Sequence, residues 1–266
     1  FVGTHISLSF PSVGATENII IAAATAEDDT IISNAAQEPE IIDLANFLNA
    51  CGAKVYGAGK SCIVVHGVDR LHGTEFTVMP DRIVAATYLC GAAITGGENT
   101  VTDIQSEQLN SLFPLFKKMG CQLKEEHDKV WIKGPQRLRS CGTVRTMPYP
   151  GFPTDAQAPW MAISCVADGT SVFVENIFES RYKHAGELMR MGANIRIEGR
   201  VAIVEGVKTL YGANVEATDL RGGIALVLAG LSAQGETTVS NLCHIDRGYE
   251  QIEKSLSLLG AKIYRE

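Results

Sequence analysis

The sequence predicts an α/β protein assembled from repeated βαβαββ units, and three recurring markers predict it. Four helix ends, LNACGAKV, FKKMGCQL, LMRMGANI and LSLLGAKI, place Gly52, Gly120, Gly192 and Gly260 at steps of 68, 72 and 68 residues. A threonine ahead of the middle strand recurs as Thr30, Thr100, Thr170 and Thr238, and a glycine before the next turn as Gly67, Gly134 and Gly206. A fixed period marks stacked supersecondary units, none of which can bury its apolar face alone.

The first unit begins with strand THISLSF, turns at Pro11-Ser12-Val13-Gly14 and enters a helix through ENIIIAAATAE. Strand DTIISN and helix PEIIDLANFLNACGA follow, with Pro39 as a first-turn proline. The hairpin AKVYGAGKSCIVVHG alternates apolar and polar residues and reverses at Gly57-Ala58-Gly59. Unit two repeats the order with strand TEFTVMP, helix DRIVAATYLCGAA, strand NTVTDI, helix SEQLNSLFPLFKKMG and hairpin CQLKEEHDKVWIKG. Unit three opens on TVRTMPYPGFPTDAQAPW, whose prolines and aromatics predict a fixed loop. Strand TSVFVEN and a helix near FESRYKH come next. Unit four reads VAIVEG, ANVEATDLRGG opening an apolar run, TTVSNLCHIDRGYE opening a second, and a closing strand in LSLLGAKI.

A chain of 266 residues is long for one core and comfortable for two. With no Ser/Gly-rich linker, the boundary is expected at an internal seam near Gly73 to Met79, giving residues 1–76 and 77–266. A net charge of −7 argues against a broad nucleic-acid-binding face, so an anionic ligand has to be held by a few placed arginines. No apolar stretch reaches the ~20 residues of a membrane span, and no leader pattern is present, so a cytoplasmic chain that neither crosses membranes nor is secreted is expected. It begins with Phe1 rather than Met, which predicts further residues ahead of it. Its seven cysteines form no C-x-x-C pair and are expected to act as small core residues in a reducing compartment. His184 and His244 lack partners at zinc-like spacing, and no P-loop or G-x-G-x-x-G string occurs, so neither a metal nor a cofactor is expected.

In each unit the first strand ends at a good helix-capping residue: Ser12, Asp81, Asp155 and Asp219. As caps alone they imply no ligand. The arginines add to this: Arg82 follows Asp81, Arg221 lies two past Asp219, Arg181 two past Glu179, and Arg247 follows Asp246. A cation in the first helical turn opposes the helix dipole at a cost of roughly 0.3–1 kcal/mol unless an anion sits there. A helix start with a guanidinium suits phosphate or carboxylate, while local Asp–Arg pairs in solvent are the competing reading. If the strands of unit four are parallel, Arg221 and Arg247 open on one edge. Asp155 has no arginine beside it in sequence, which makes it the candidate general base, or else one more cap.

The strings PSVGATENI, PDRI, GFPTDAQA, FESRYKH, RMGA, DLR and HIDRGYE together resemble the UDP-N-acetylglucosamine-utilising branch of the enolpyruvyl transferase family. The likeness runs the whole length. It departs at Phe10-Pro11 and at Ala158-Pro159-Trp160. The resemblance implies inside-out α/β barrel domains, residues 1–76 being the last repeat of one and 77–266 three repeats of another. It implies about two further units ahead of Phe1, carrying a catalytic loop that none of the seven cysteines matches, and this missing N-terminal segment as a partner. It implies transfer of the enolpyruvyl group of phosphoenolpyruvate to the 3′-hydroxyl of UDP-N-acetylglucosamine, without a cofactor. Asp155 would be the base, Arg221 and Arg247 would hold phosphoenolpyruvate, and Ser12, Val13 and Gly14 would line the nucleotide end. Ile177 would meet the sugar nucleotide through its backbone, with Arg82, Arg181 and Asp219 nearby. Two other readings stay open: a binding or regulatory paralogue without catalysis, and a transferase that uses shikimate 3-phosphate.

Overall fold

The computed structural model describes residues 1–266, which divide into two compact units: Phe1–Pro80 with Pro148–Gly151, and the remainder. The first unit carries β1 (His5–Ser7), α1 (Val13–Ala23), β2 (Asp29–Ser33), α2 (Pro39–Ala50), β3 (Lys54–Tyr56) and β4 (Cys62–His66). Its sheet runs β1-β2-β4-β3, with β1 parallel to β2 and the other pairs antiparallel. The inward side chains Ile32, Ile63 and Val65 meet Ile20 and Ile41 from the helices, all fully buried.

The second unit holds α3 (Arg82–Thr95), β5 (Glu98–Thr102), α4 (Phe113–Lys118), β6 (Gln122–Glu125) and β7 (Lys129–Lys133). It continues with β8 (Thr143–Arg145), α5 (Gln157–Ser164), β9 (Thr170–Val174), α6 (Lys183–Arg190), β10 (Asn194–Glu198) and β11 (Val201–Glu205). It ends with β12 (Asn214–Glu216), α7 (Leu220–Ser232), β13 (Thr238–Ser240), α8 (Cys243–Asp246) and α9 (Ile252–Leu258). The sheet β10-β11-β9-β8 reproduces the order of the first unit, with β8 parallel to β9, and β12 is likewise parallel to β13.

Helices α3, α5 and α7 pack on one another, and every residue of α5 is buried. A helix buried on all sides must sit at the centre, so the sheets lie outside: this is the inside-out arrangement. Trp160, at one of the departures from the family pattern, is fully buried between Phe116 and Phe152, with ring centroids 4.3 and 5.5 Å away.

The repeat markers have physical causes. Gly52, Gly120, Gly192 and Gly260 all take a left-handed φ of 94–96°, and the next N–H bonds back to the helix, as in Ala53 to Leu48 O at 2.9 Å and Cys121 to Phe116 O at 3.0 Å. Each is the helix-ending turn that glycine adopts without steric cost. Gly67 and Gly206 serve another need, since a Cβ would lie 1.7 Å from Ala26 O and 1.6 Å from Ala167 O.

Four expectations are corrected. TEFTVMP forms no strand. Phe76 packs edge-on against Phe47 at 5.4 Å and the Met79 N–H reaches Asp43 Oδ2 at 3.4 Å, so the segment is drawn onto α2 and β5 gains no parallel neighbour. The helix expected through SEQLNSLFPLFKKMG splits into a 3₁₀ turn, Ser106–Leu109, and α4, because Pro114 fits only a helix start. Residues 261–263 form no strand, unlike their counterparts β3, β6 and β10. Cys62 and Cys243 are exposed, unlike the other five cysteines. Residues 148–151 belong with the first compact unit, where the Tyr149 N–H reaches Glu38 Oε1 at 3.2 Å. No helix is long and apolar enough to cross a membrane.

Candidate active site

Four loops of the second unit leave the carboxyl ends of two parallel strand pairs, β8 with β9 and β12 with β13, the edge where α/β folds place ligands. The loop after β8 carries Asp155, that after β9 carries Glu175, Ile177 and Arg181, that after β12 carries Asp219 and Arg221, and that after β13 carries Arg247 and Tyr249.

Asp155 joins two of these loops to its own. Arg181 Nη2 donates to its Oδ1 at 2.6 Å, and Arg221 donates to its Oδ2 through Nη2 at 3.0 Å and Nε at 3.2 Å. The expectation of a carboxylate without a cation is therefore corrected: its partners stand 26 and 66 residues away along the chain, where local spacing cannot show them. Nor is Asp155 a cap, for it lies in the 3₁₀ turn Thr154–Ala156 and α5 starts without a side-chain cap. Burial alone would raise its carboxyl, but the charges and hydrogen bonds of Arg221 and Arg181 outweigh that and hold it below the usual range.

Ser12, Asp81 and Asp219 do cap their helices. Ser12 Oγ accepts from the Ala15 N–H at 3.3 Å, Asp81 Oδ1 from Ile83 and Val84 at 2.7 and 3.1 Å, and Asp219 Oδ1 from Gly222 at 2.8 Å. Val13 and Gly14 begin α1, and a Cβ on Gly14 would meet nothing within 4 Å. Arg82 is the buried first residue of α3.

The guanidinium of Arg221 is held from a second side. Its Nη1 donates to Tyr249 Oη at 3.2 Å, and that hydroxyl shares a 2.8 Å bond with Thr87 Oγ1, which itself donates to Ile83 O at 2.9 Å. Thr87 has spent its proton, so Tyr249 donates to Thr87 and accepts from Arg221. Burial would lower Arg221, but Asp155 and Tyr249 keep it firmly charged. Arg181 lies over the Phe178 ring, 4.6 Å from its centroid.

Arg247 is exposed and ends α8 rather than opening a helix, and its neighbour Asp246 pairs with Arg265 at 2.6 Å. A Cβ on Gly248 would lie 2.9 Å from Leu220, so the Arg247 backbone passes beside the start of α7, next to Arg221. The Ile177 N–H is already spent on Glu175 Oε1 at 2.9 Å, which leaves its carbonyl for a ligand. His184 is buried in α6 with Nε2 unpartnered; burial, aided by Arg181 and opposed by Asp219, brings its pKa down to about 4. No three of His, Cys, Asp and Glu gather as a metal site.

Sequence reading missed Glu175, Tyr249 and Thr87. The signal for Glu175 is a single acid between the apolar runs SVFV and IF, and for Tyr249 the only aromatic in HIDRGYE.

Comparisons with known proteins identify the relatives of this chain. A family model described as EPSP synthase (3-phosphoshikimate 1-carboxyvinyltransferase) matches residues 1–256. UDP-N-acetylglucosamine 1-carboxyvinyltransferase 2 of Caldanaerobacter subterraneus subsp. tengcongensis is 52% identical over 99% of this chain, and UDP-N-acetylglucosamine 1-carboxyvinyltransferase 1 of Symbiobacterium thermophilum is 54% identical over 99%. The chain spans 63% and 59% of the lengths of those two relatives. Among solved structures, the enolpyruvyl transferase NikO from Streptomyces tendae superposes with a TM-score of 0.88 at 26% identity, over 98% of this chain and 65% of that one.

Proposed function

This chain belongs to the EPSP synthase (3-phosphoshikimate 1-carboxyvinyltransferase) family of enolpyruvyl transferases, and we propose that it transfers the enolpyruvyl group of phosphoenolpyruvate to the 3′-hydroxyl of UDP-N-acetylglucosamine. The reaction would open peptidoglycan synthesis in the cytoplasm. The observation that carries the reading is Asp155 bridged by Arg181 and Arg221, two cations and one carboxylate brought together from the carboxyl ends of two parallel strand pairs. Phosphoenolpyruvate is anionic at both ends, so a guanidinium pair is the natural receptor.

The sugar oxygen attacks C2 of phosphoenolpyruvate while a general acid protonates C3, giving a tetrahedral phospho-ketal; the conjugate base then takes back a C3 proton as phosphate leaves with the proton of the sugar hydroxyl, and the enolpyruvyl ether remains. Asp155 accepts the hydroxyl proton. Paired with two arginines it is a poor base, and an arriving anion that draws Arg221 away restores its basicity. Substrate binding thus prepares the base. Arg247, exposed beside the start of α7, takes the other anionic end, and the Ile177 carbonyl accepts from the sugar nucleotide. Arg82 and Asp219 complete the surroundings.

The test is phosphate release by the protein as encoded, supplied with phosphoenolpyruvate and UDP-N-acetylglucosamine. Release that depends on both substrates and is not supported by shikimate 3-phosphate is expected. Binding of the sugar nucleotide with no phosphate release would instead identify a non-catalytic paralogue.

A further inference from the structure

We propose that Glu175 is the positioning residue that sets Asp155 and Arg181 against each other, an inference that rests on the enolpyruvyl transfer assigned above. Glu175 immediately follows β9 and is 1% exposed, where an ionisable side chain persists only if its acceptors are filled. They are filled from two loops. Oε1 accepts from the N–H groups of Ile177 at 2.9 Å and Phe178 at 3.1 Å and from Thr146 Oγ1 at 2.8 Å, while Oε2 accepts from Thr154 Oγ1 at 2.9 Å.

Three of these four contacts lie beside groups of the site. Thr154 immediately precedes Asp155, and Ile177 with Phe178 begins the loop that ends at Arg181, whose guanidinium lies on the Phe178 ring. One carboxylate therefore fastens the base loop and the cation loop to the same strand end. Rigid placement matters because the Asp155–Arg181 contact of 2.6 Å spans two loops that no backbone ladder joins. Catalytic groups held by locked neighbours lose little to reorganisation during reaction.

The assignment separates from a purely structural one by where a lesion is felt. Amide hydrogen exchange of the whole chain without ligands reads it, using Glu175→Ala, Glu175→Gln and Thr154→Val. In Glu175→Ala the amides of residues 154–156 and 176–178 are expected to exchange together, roughly ten- to hundredfold faster, while α5 and α7 keep their protection. Glu175→Gln should largely rescue both loops, because its amide oxygen accepts from the backbone and Thr154 turns to accept from its NH₂. Thr154→Val should loosen residues 154–156 alone, and it decides the matter even if Glu175→Ala does not fold. With substrates, Glu175→Ala should lower kcat/KM about tenfold or more and move its acid limb upward, as Asp155 loses the hold of Arg181.

Uniformly faster exchange across the unit, or an unmoved acid limb in a well-folded Glu175→Ala, would overturn the assignment. If the parent releases no phosphate, the assigned reaction falls, and the exchange pattern still decides whether Glu175 holds the two loops.

Discussion

Replacing Asp155 by Asn should abolish turnover while tightening the grip on a simple anion. In the parent, Asp155 occupies both guanidinium groups, with donor–acceptor distances of 2.6 Å to Arg181 and 3.0 and 3.2 Å to Arg221. The asparagine oxygen can serve only one arginine, and its NH₂ would face the other's donors. Charged hydrogen bonds are worth about 1.5–3 kcal/mol each, but the Asp155 side chain is 38% exposed, so screening reduces the whole loss to about 2–3 kcal/mol. At about 2–4 °C per kcal/mol for a unit of this size, Tm should fall by roughly 4–12 °C. The same change removes the negative charge against which an incoming phosphate competes. Recovering about 1–2 kcal/mol of that competition makes inorganic phosphate or phosphoenolpyruvate bind about five- to thirtyfold more tightly. Titration calorimetry with phosphate checks the affinity, and phosphate release checks the turnover, expected to fall about 10²–10⁴-fold for a lost general base. A variant that binds phosphate no better than its parent, or turns over at the parental rate, would refute the idea of a base masked by its own cations.

Four further outcomes are expected. The folded pKa of His184, about 4, lies below its ordinary 6.5, so its share of stability is complete above pH 6.5 and is lost as pH falls toward 4. At 1.36 kcal/mol per unit the loss is about 3 kcal/mol, and thermal melts should show His184→Leu flattening that slope. Tyr249→Phe frees one Arg221 donor but leaves Thr87 bonded to Ile83, so stability should fall only about 1 kcal/mol while KM for phosphoenolpyruvate rises, as steady-state kinetics would show. Gly206→Ala would drive a Cβ to 1.6 Å from Ala167 O, and urea melts should report a loss of at least about 1–3 kcal/mol. Ser12→Ala removes the α1 cap, costing about 1 kcal/mol in the same melts.

What the sequence exposes and what it conceals follow from the range of the interactions involved. The repeat is legible because its markers answer local needs: a left-handed residue at each helix end and room for a carbonyl beside Gly67 and Gly206. Caps such as Asp81 and Asp219 act within three residues, so spacing reveals them as well. TEFTVMP deceives for the opposite reason, because alternation fits a strand while the choice between a sheet edge and α2 rests on Phe47 and Asp43, which the pattern does not contain. Asp155 is the sharpest case. Local context presents a carboxylate without a cation, whereas packing α5 against α7 carries Arg221 onto it from 66 residues away. The inversion has a chemical use. A base paired with a cation from its own loop would be neutralised wherever that loop went, while a base paired across separate loops is released when an anion competes for those cations. The arginine that looks misplaced at a helix start is then explained by a carboxylate that a substrate can replace.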